Sequence, residues 1–457
     1  MISLQVQITM AAPAGPSAAL RPLAVPARGR TVTIIVAAPG LESQGDLEQD
    51  VHVPAAGNSD PVRFRFTTGR AGLHPVTVRA FAGGTFLAEL GLQVSVEVGA
   101  ALEEGPPQSA IMDGLATEPG EVTLLVNLTD EGRYSFQLIG EALYPIELTR
   151  RLAGDPAEIV QDLVDELRAM AGQESPYANP RLVRNRIRSL GAQLWADVVP
   201  ESIRRQFWEQ AGRIKLFTVA SDMDTVPWEL LYPIDGDNDN GFLVEQFPVV
   251  RRVYGQGRAR HLRLTSAGFV VPPGSPANAM DEVDAVRVRL GAHVEHDTVC
   301  TQLESLIRLL NAPPSVLHFA CHNKFSDRAG SVIRLGGGPL RPGDLAPARL
   351  SRSMAAVSPL VFINACRTAG EIPGLMEMMG WARQFMGAGA GAFVGSLWTI
   401  RSGSARSFAD AFYRALVVDG QPLGAASLQA RQAIAGDEGD PTWLAYTIYG
   451  NPAATIQ

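Results

Sequence analysis

The sequence predicts an α/β protein: a mainly parallel sheet with helices on both faces, preceded by a β-sandwich-like domain. Three observations carry this. Apolar residues alternate with period two through the first hundred positions, helical spacing takes over near residue 156, and beyond it short continuous apolar runs alternate with helical patterns.

The period-two region begins at Ile2, Leu4, Val6 and Ile8 and continues in TVTIIVA, VRFRF, VTVRAF and LQVSVEV, separated by Gly, Pro and Asn turn signals. Short strands at that spacing predict a small sandwich over residues 1–100. Residues 11–30, rich in Ala, Pro and Arg, are expected to link or wrap. A connecting β segment follows at 101–144, where EVTLLVNL and RYSFQLIG either close the first domain or begin the next.

From residue 156, PAEIVQDLVDELRAM, RLVRNRIRSLGAQLWADVV and PESIRRQFWEQAG repeat apolar residues at helical spacing. RIKLFTVA, GFVVPP, SVLHFAC, PLVFINAC and GAFVGSLW then have the form of strands, and helical patterns occupy 279–290, 300–311, 375–387, 404–418 and 424–435. Continuous apolar strands, as opposed to alternating ones, belong to parallel sheets covered on both faces.

Composition narrows the function. The 457 residues are 46% hydrophobic and 19% charged, which is enough for two or three domains with substantial cores. The 47 acidic and 39 basic residues are scattered without a polybasic block, so neither nucleic-acid nor membrane binding is expected. Lys215 and Lys324 are the only lysines among an Ala-, Gly- and Pro-rich set, a bias that fits a GC-rich bacterial genome. Cys300, Cys321 and Cys366 make neither a CxxC metal site nor a disulfide framework, so no metal and no cofactor are expected and a reducing cytoplasm fits. MISLQVQITM alternates like a strand, unlike a secretory leader, and no run of about 18 apolar residues occurs.

The chemistry is expected at the carboxyl ends of the strands, where open α/β sheets bind ligands. SVLHFAC runs into His322 and PLVFINA into Cys366, 44 residues later. If the two strands are neighbours, a thiol meets an imidazole: the minimal pair of cysteine nucleophile and general base. Asn323, and Arg367 to Gly370 after the cysteine, put polar backbone where N–H groups can bind an oxyanion. Trp398, Thr399, Ile400, Arg401 and Ser402 form either a rail for an extended substrate or a strand end with an aromatic core anchor.

Several reactive residues have plainer readings. His318 and Ala320 share one face of the strand and Phe319 and Cys321 the other, so Cys321 is read as core filling and His318 as a structural histidine with a hydrogen-bonded ring. Cys300, read as opening a helix, is assigned to packing, and so is PWELL at 227–231. Gly336 to Gly338 lack the Lys-Ser/Thr of a phosphate loop and predict a tight hairpin. Arg251 and Arg252 are either a solvated pair or a contact for an activator.

HFACHN, FINACRTAG and GAFVGSLWTI, then FADAFYRAL and WLAYTIYGNP, with TVPWELLYP and FLVEQFPVVRRVY upstream, resemble the CHAT family of caspase-like cysteine peptidases, relatives of caspases and separases. The resemblance covers residues 145–457, with an amino-terminal half at 145–265 and a catalytic half at 266–457. It implies a caspase-like sheet, His322 as general base, Cys366 as nucleophile, and the backbone N–H groups of Asn323 and Cys366 as the oxyanion hole. The family usually has glycine where Asn323 stands. Relatives that cleave after Arg or Lys commonly carry an acid two residues before the cysteine, where this chain has Asn364, and many carry Asp near Ser402. Asp327 and Asp224 are the acidic alternatives for substrate recognition.

The function so implied is a regulated endopeptidase acting on protein substrates through a thioester, switched on by a partner protein or a small signalling molecule, in bacterial antiphage defence or programmed cell death. The competing expectations are a degenerate caspase-like scaffold and a sensor whose task is ligand binding.

Overall fold

The computed structural model describes residues 2–9, 25–97, 105, 107–110, 112, 117–128, 134–141, 147–148, 160, 163, 165–167, 169–170, 177, 179–221, 226–253, 259–326, 330–346, 348–366, 376–398, 400–436 and 439–457, with backbone alone at 128, 147–148, 323–326, 330, 348–349, 365–366 and 376–379. The chain divides into two compact units, Met1–Leu148 and Thr149–Gln457.

The first unit is antiparallel. Its strands are β1 (Ile2–Val6), β2 (Arg30–Ala37), β3 (Glu42–Ser43), β4 (Glu48–Val53), β5 (Val62–Thr67), β6 (Gly72–Ala82), β7 (Thr85–Val96), β8 (Glu121–Leu128), β9 (Tyr134–Ile139) and β10 (Glu147–Leu148). One sheet has the order β1-β5-β3 and a second β4-β2-β6-β7. Phe64 and Phe66 of the first share a core with Val32, Ile34, Val36, Val51, Val53, Val76 and Val78 of the second, which is the sandwich that the alternating pattern predicts. EVTLLVNL and YSFQLI pair antiparallel as β8 and β9, with β10 beside β9.

In the second unit Val160, Leu163, Leu167 and Met170 are buried at helical spacing. Helix α1 (Pro180–Val198) starts where the Asn179 side chain accepts from the Arg181 amide at 2.9 Å and Pro180 occupies the first turn. It buries Val183, Ile187, Leu190, Leu194 and Trp195, one stripe of its surface. Helix α2 (Glu201–Gln210) follows Pro200.

The remaining elements are β11 (Leu216–Ser221), the hairpin β12 (Ile234–Asp235) and β13 (Asn238–Asp239), α3 (Leu243–Gln246), β14 (Val249–Arg252), β15 (His261–Leu262), β16 (Ser266–Val270), α4 (Ala279–Leu290), β17 (His296–Cys300), α5 (Leu303–Asn311), β18 (Val316–Ser326), β19 (Gly330–Leu335), β20 (Gly338–Leu340), α6 (Ala348–Val357), β21 (Leu360–Cys366), α7 (Met376–Gly387), β22 (Ala392–Ser396), α8 (Ser402–Tyr413), α9 (Leu423–Ile434), α10 (Thr442–Ala445), β23 (Tyr446–Gly450) and β24 (Thr455–Ile456). The large sheet of this unit runs β11-β14-β23-β22-β21-β18-β16-β17. Every described pair along it is parallel except β22 with β23. From β16 the chain moves outward to β17 and then returns to β18, β21 and β22 on the other side, so the order reverses between β16 and β18. A crevice at such a reversal is where open α/β sheets take their ligands.

Both faces are covered. On one, Leu317, Phe319, Cys321, Val361, Ile363 and Phe393 pack with Leu306 and Leu310 of α5, Met354 of α6 and Trp381 and Phe385 of α7. On the other, Phe362 stacks on Tyr413 with ring centroids 5.6 Å apart, and Phe408 lies flat on Tyr446 at 3.5 Å. Aromatic stacks of this kind fix α8 onto the sheet.

Two local expectations are corrected and a third is refined. Cys300 ends β17 in register with Val270, and α5 begins only at Leu303, because Gln302 bridges to Gly336 before the helix can start. The 404–418 pattern is α8 followed by a π-turn, Arg414–Val418. Arg251 and Arg252 are 3% and 8% exposed, so they are no solvated pair: the Arg251 guanidinium grips the Glu229 carboxylate of PWELL, Nε to Oε1 at 2.8 Å and Nη2 to Oε2 at 2.5 Å. The Gly336 to Gly338 run joins β19 to β20 as a hairpin, with Gly337 at a φ of 86° that favours glycine.

Candidate active site

Strands β18 and β21 lie side by side in parallel register from Val316↔Leu360 to His322↔Cys366. Parallel strands sit about 4.8 Å apart, so this register brings the backbones of the histidine and the cysteine to one place at the carboxyl end of the sheet. His322 is half-buried. Beyond it β18 does not stop: Asn323 to Ser326 pair antiparallel with β19, Asn323 opposite Ile333, so the backbone proposed for an oxyanion hole is held in a second ladder. Arg367 to Gly370, Thr399, Asp224 and Asp327 lie outside the described residues.

His318 and Cys321 take the places that strand alternation assigns them. Cys321 is fully buried among Leu317, Phe319 and Ile363. His318 is equally buried on the opposite face, its Nε2 2.8 Å from Glu282 Oε1 and its Nδ1 3.2 Å from the Tyr413 hydroxyl. A carboxylate only accepts, so Nε2 carries a proton. Burial first, and the Glu282 charge second, push the Tyr413 phenol well above its ordinary pKa.

Asn364, expected to face substrate, is 2% exposed and spends its amide inside the protein. Its Nδ2 donates to Glu282 Oε1 at 2.9 Å and to the Ala405 carbonyl at 3.1 Å, and its Oδ1 accepts from the Tyr446 hydroxyl at 2.7 Å. The amide therefore supports β21 from beneath. Glu282 was not singled out from the sequence, where an acid in the first turn of a helix is ordinary dipole complementation.

The Trp398 to Ser402 segment leaves β22 at the same end of the sheet, since Gly395 is in register with Ile363 of β21. Trp398 and Ile400 are 3% and 4% exposed, which makes them anchors, yet the buried indole Nε1 of Trp398 has no hydrogen-bond partner among the described residues. Arg401 is tied down by the carbonyls of Gly439 at 3.1 Å and Met170 at 3.3 Å. The Ser402 carbonyl accepts from Asn278 Nδ2 at 3.1 Å, and Ser404 Oγ reaches Asp440 at 2.5 Å. The segment is thus stapled to neighbouring loops at its Arg401–Ser404 end.

Among the described residues no cluster of three His, Cys, Asp or Glu could hold a metal ion, and no helix is long and apolar enough to cross a membrane. No curated protein matches the sequence. Among solved structures, the Arg-specific cysteine proteinase gingipain R is similar at 11% identity with a TM-score of 0.42, over 66% of this chain and 76% of that one. The Saccharomyces cerevisiae separase–securin complex is similar at 10% identity and a TM-score of 0.47, over 74% of this chain and only 30% of that one. The family model described as the CHAT domain matches residues 188–451, more than half of the sequence, and the chain belongs to the CHAT domain family.

Proposed function

We propose that this protein is a cysteine endopeptidase in which Cys366 is the nucleophile and His322 the general base. The observation that carries the reading is the register of β18 against β21, with His322 and Cys366 as paired positions at the carboxyl end of the sheet. His322 takes the thiol proton, and the Cys366 sulfur attacks the carbonyl carbon of the scissile peptide. The tetrahedral oxyanion is met by the backbone N–H groups of Asn323 and Cys366. Collapse expels the amine, which takes the proton from the His322 imidazolium, and leaves a thioester. Water, deprotonated by His322, then attacks the thioester and releases the acid and the free thiol.

A protein substrate follows from this chemistry. Control by a partner protein or a small signalling molecule, a cytoplasmic setting and a role in antiphage defence or cell death belong to the same proposal. The test is a cleavage-site profile of a proteome-derived peptide library and of native lysate, comparing wild type with Cys366→Ala. Cleavages present in the wild type and absent from the variant are expected, together with labelling of Cys366 by an acylating cysteine probe. Identical profiles with an unlabelled Cys366 would leave the chain a scaffold of the same fold.

A further inference from the structure

Glu282 lies in the first turn of α4, is 5% exposed, and takes no part in the steps above. A carboxylate is costly to bury unless its oxygens are hydrogen-bonded, so its partners carry information. One oxygen, Oε1, has two: His318 Nε2 at 2.8 Å and Asn364 Nδ2 at 2.9 Å.

These two donors stand on different strands. His318 is in β18, four residues before His322, and Asn364 is in β21, two residues before Cys366. The register pairs Ala320 with Asn364 and His322 with Cys366, so the bridge through Glu282 runs diagonally across the two strands just below the paired positions. Each arm of the bridge is held from behind. Tyr413 at the end of α8 meets His318 Nδ1, while the Ala405 carbonyl of α8 and the Tyr446 hydroxyl of β23 hold Asn364. Among the described residues the titratable and charged groups around the carboxylate are His318 and Tyr413, and Asp281 beside it on α4 faces Arg406 at 4.0 Å.

We propose that Glu282 is a positioning residue for the Cys366–His322 pair: by accepting from both strands on one oxygen, it locks the strand that ends at Cys366 against the strand that carries His322. The inference rests on the reading of those two residues as the reacting pair. Displacements of about 1 Å at a reacting pair cost on the order of a hundredfold in rate, so a two-strand lock beneath the pair controls the reaction without touching substrate.

The test uses the full chain and the reactivity of Cys366 itself. Alkylation by iodoacetamide is followed against pH, with peptide mass spectrometry separating Cys366 from Cys300 and Cys321. In the wild type the Cys366 profile has its midpoint below the value of about 8.5 for a free thiol. Glu282→Ala moves the midpoint toward that value and slows alkylation at neutral pH by about tenfold or more. Glu282→Gln keeps an oxygen acceptor for both donors and recovers most of the loss. Asn364→Ala severs only the β21 arm and shifts the profile in the same direction, which gives a reading if Glu282→Ala does not fold.

Folded Glu282→Ala and Asn364→Ala proteins with wild-type profiles overturn the inference, as does a Glu282→Gln protein no better than Glu282→Ala. His322→Ala separates the two levels. A shifted profile in His322→Ala beside unshifted Glu282 variants removes only the positioning role, whereas an unshifted profile in His322→Ala removes the pair itself.

Discussion

His322 and Cys366 are register partners, the last of seven consecutive pairs between β18 and β21. Their proximity is therefore set by a backbone ladder buried on both faces, and does not depend on where a loop happens to settle. A slip of one residue would turn every side chain of the strand to the other face, bringing His318 out of its polar pocket and Phe319 into it. The hydrogen bonds of His318 to Glu282 and Tyr413 oppose that slip.

The neighbours His322 and Cys321 should then separate cleanly. His322→Ala is expected to lower kcat by about 10²–10⁴-fold, the usual worth of a general acid–base group. Cys321→Ala, which trims a side chain packed among Leu317, Phe319 and Ile363, should lower the melting temperature while leaving kcat in place. Steady-state kinetics beside thermal melting of the two variants decides it; comparable kcat losses in both would mean that the cysteine and histidine are only structural.

Among the described residues, the buried indole N–H of Trp398 meets no acceptor. Such a group costs stability in the free protein and is repaired when a ligand supplies an acceptor. Trp398→Phe removes the N–H and keeps most of the ring. KM is expected to rise about fivefold with kcat little changed, and the melting temperature should not fall for want of a hydrogen bond. An unchanged KM with a lowered melting temperature would assign the indole to the core alone.

Much of this architecture was legible because parallel strands advertise themselves. PLVFINAC and SVLHFAC are continuous apolar runs, as burial on both faces demands, and simple alternation placed Cys321 in the core and His318 opposite it. What escaped was whatever depended on distant partners. Glu282 sits among Met280, Asp281 and Asp284 as an ordinary helix acid, and its two hydrogen-bond donors are 36 and 82 residues away. In sequence, Arg251 and Arg252 fit a solvated pair or an activator contact equally well; the Glu229 carboxylate that holds the Arg251 guanidinium stands 22 residues earlier. Pairings between polar residues leave no period in a sequence, whereas packed faces do.

The Glu229–Arg251 pair carries a pH signature. Burial pulls the Glu229 carboxyl upward, but the charge and hydrogen bonds of Arg251, helped by Arg431, outweigh it and hold the pKa below its ordinary 4.5. A depressed carboxylate contributes stability that is fully present above the unfolded value and disappears as pH falls through the folded one. Glu229→Gln, which leaves Arg251 without its anion, should cost about 3–5 kcal/mol at neutral pH. The gap between variant and wild type should close as pH drops below 4.5, since the protonated wild-type side chain then resembles the amide. Denaturation curves of both proteins across that range check the sign: a gap that stays constant or widens in acid would mean that the pair contributes no charge interaction.

Gly191 sets two known magnitudes against each other. It lies inside α1, where glycine is about 1 kcal/mol worse than alanine, so propensity alone makes Gly191→Ala stabilising. Yet a Cβ there would meet the Leu230 carbonyl oxygen at 2.5 Å and Phe242 Cε1 at 2.8 Å, and the Gly191 carbonyl accepts from the Tyr232 amide at 3.2 Å. One of these neighbours is backbone and cannot rotate aside, and overpacking of this kind costs about 1–3 kcal/mol, with the Tyr232 hydrogen bond at further risk as the helix is pushed away. Packing therefore wins, and Gly191→Ala should be less stable than wild type by about 1–2 kcal/mol in urea denaturation. A more stable variant would mean that α1 does not approach the Glu229–Tyr232 turn this closely.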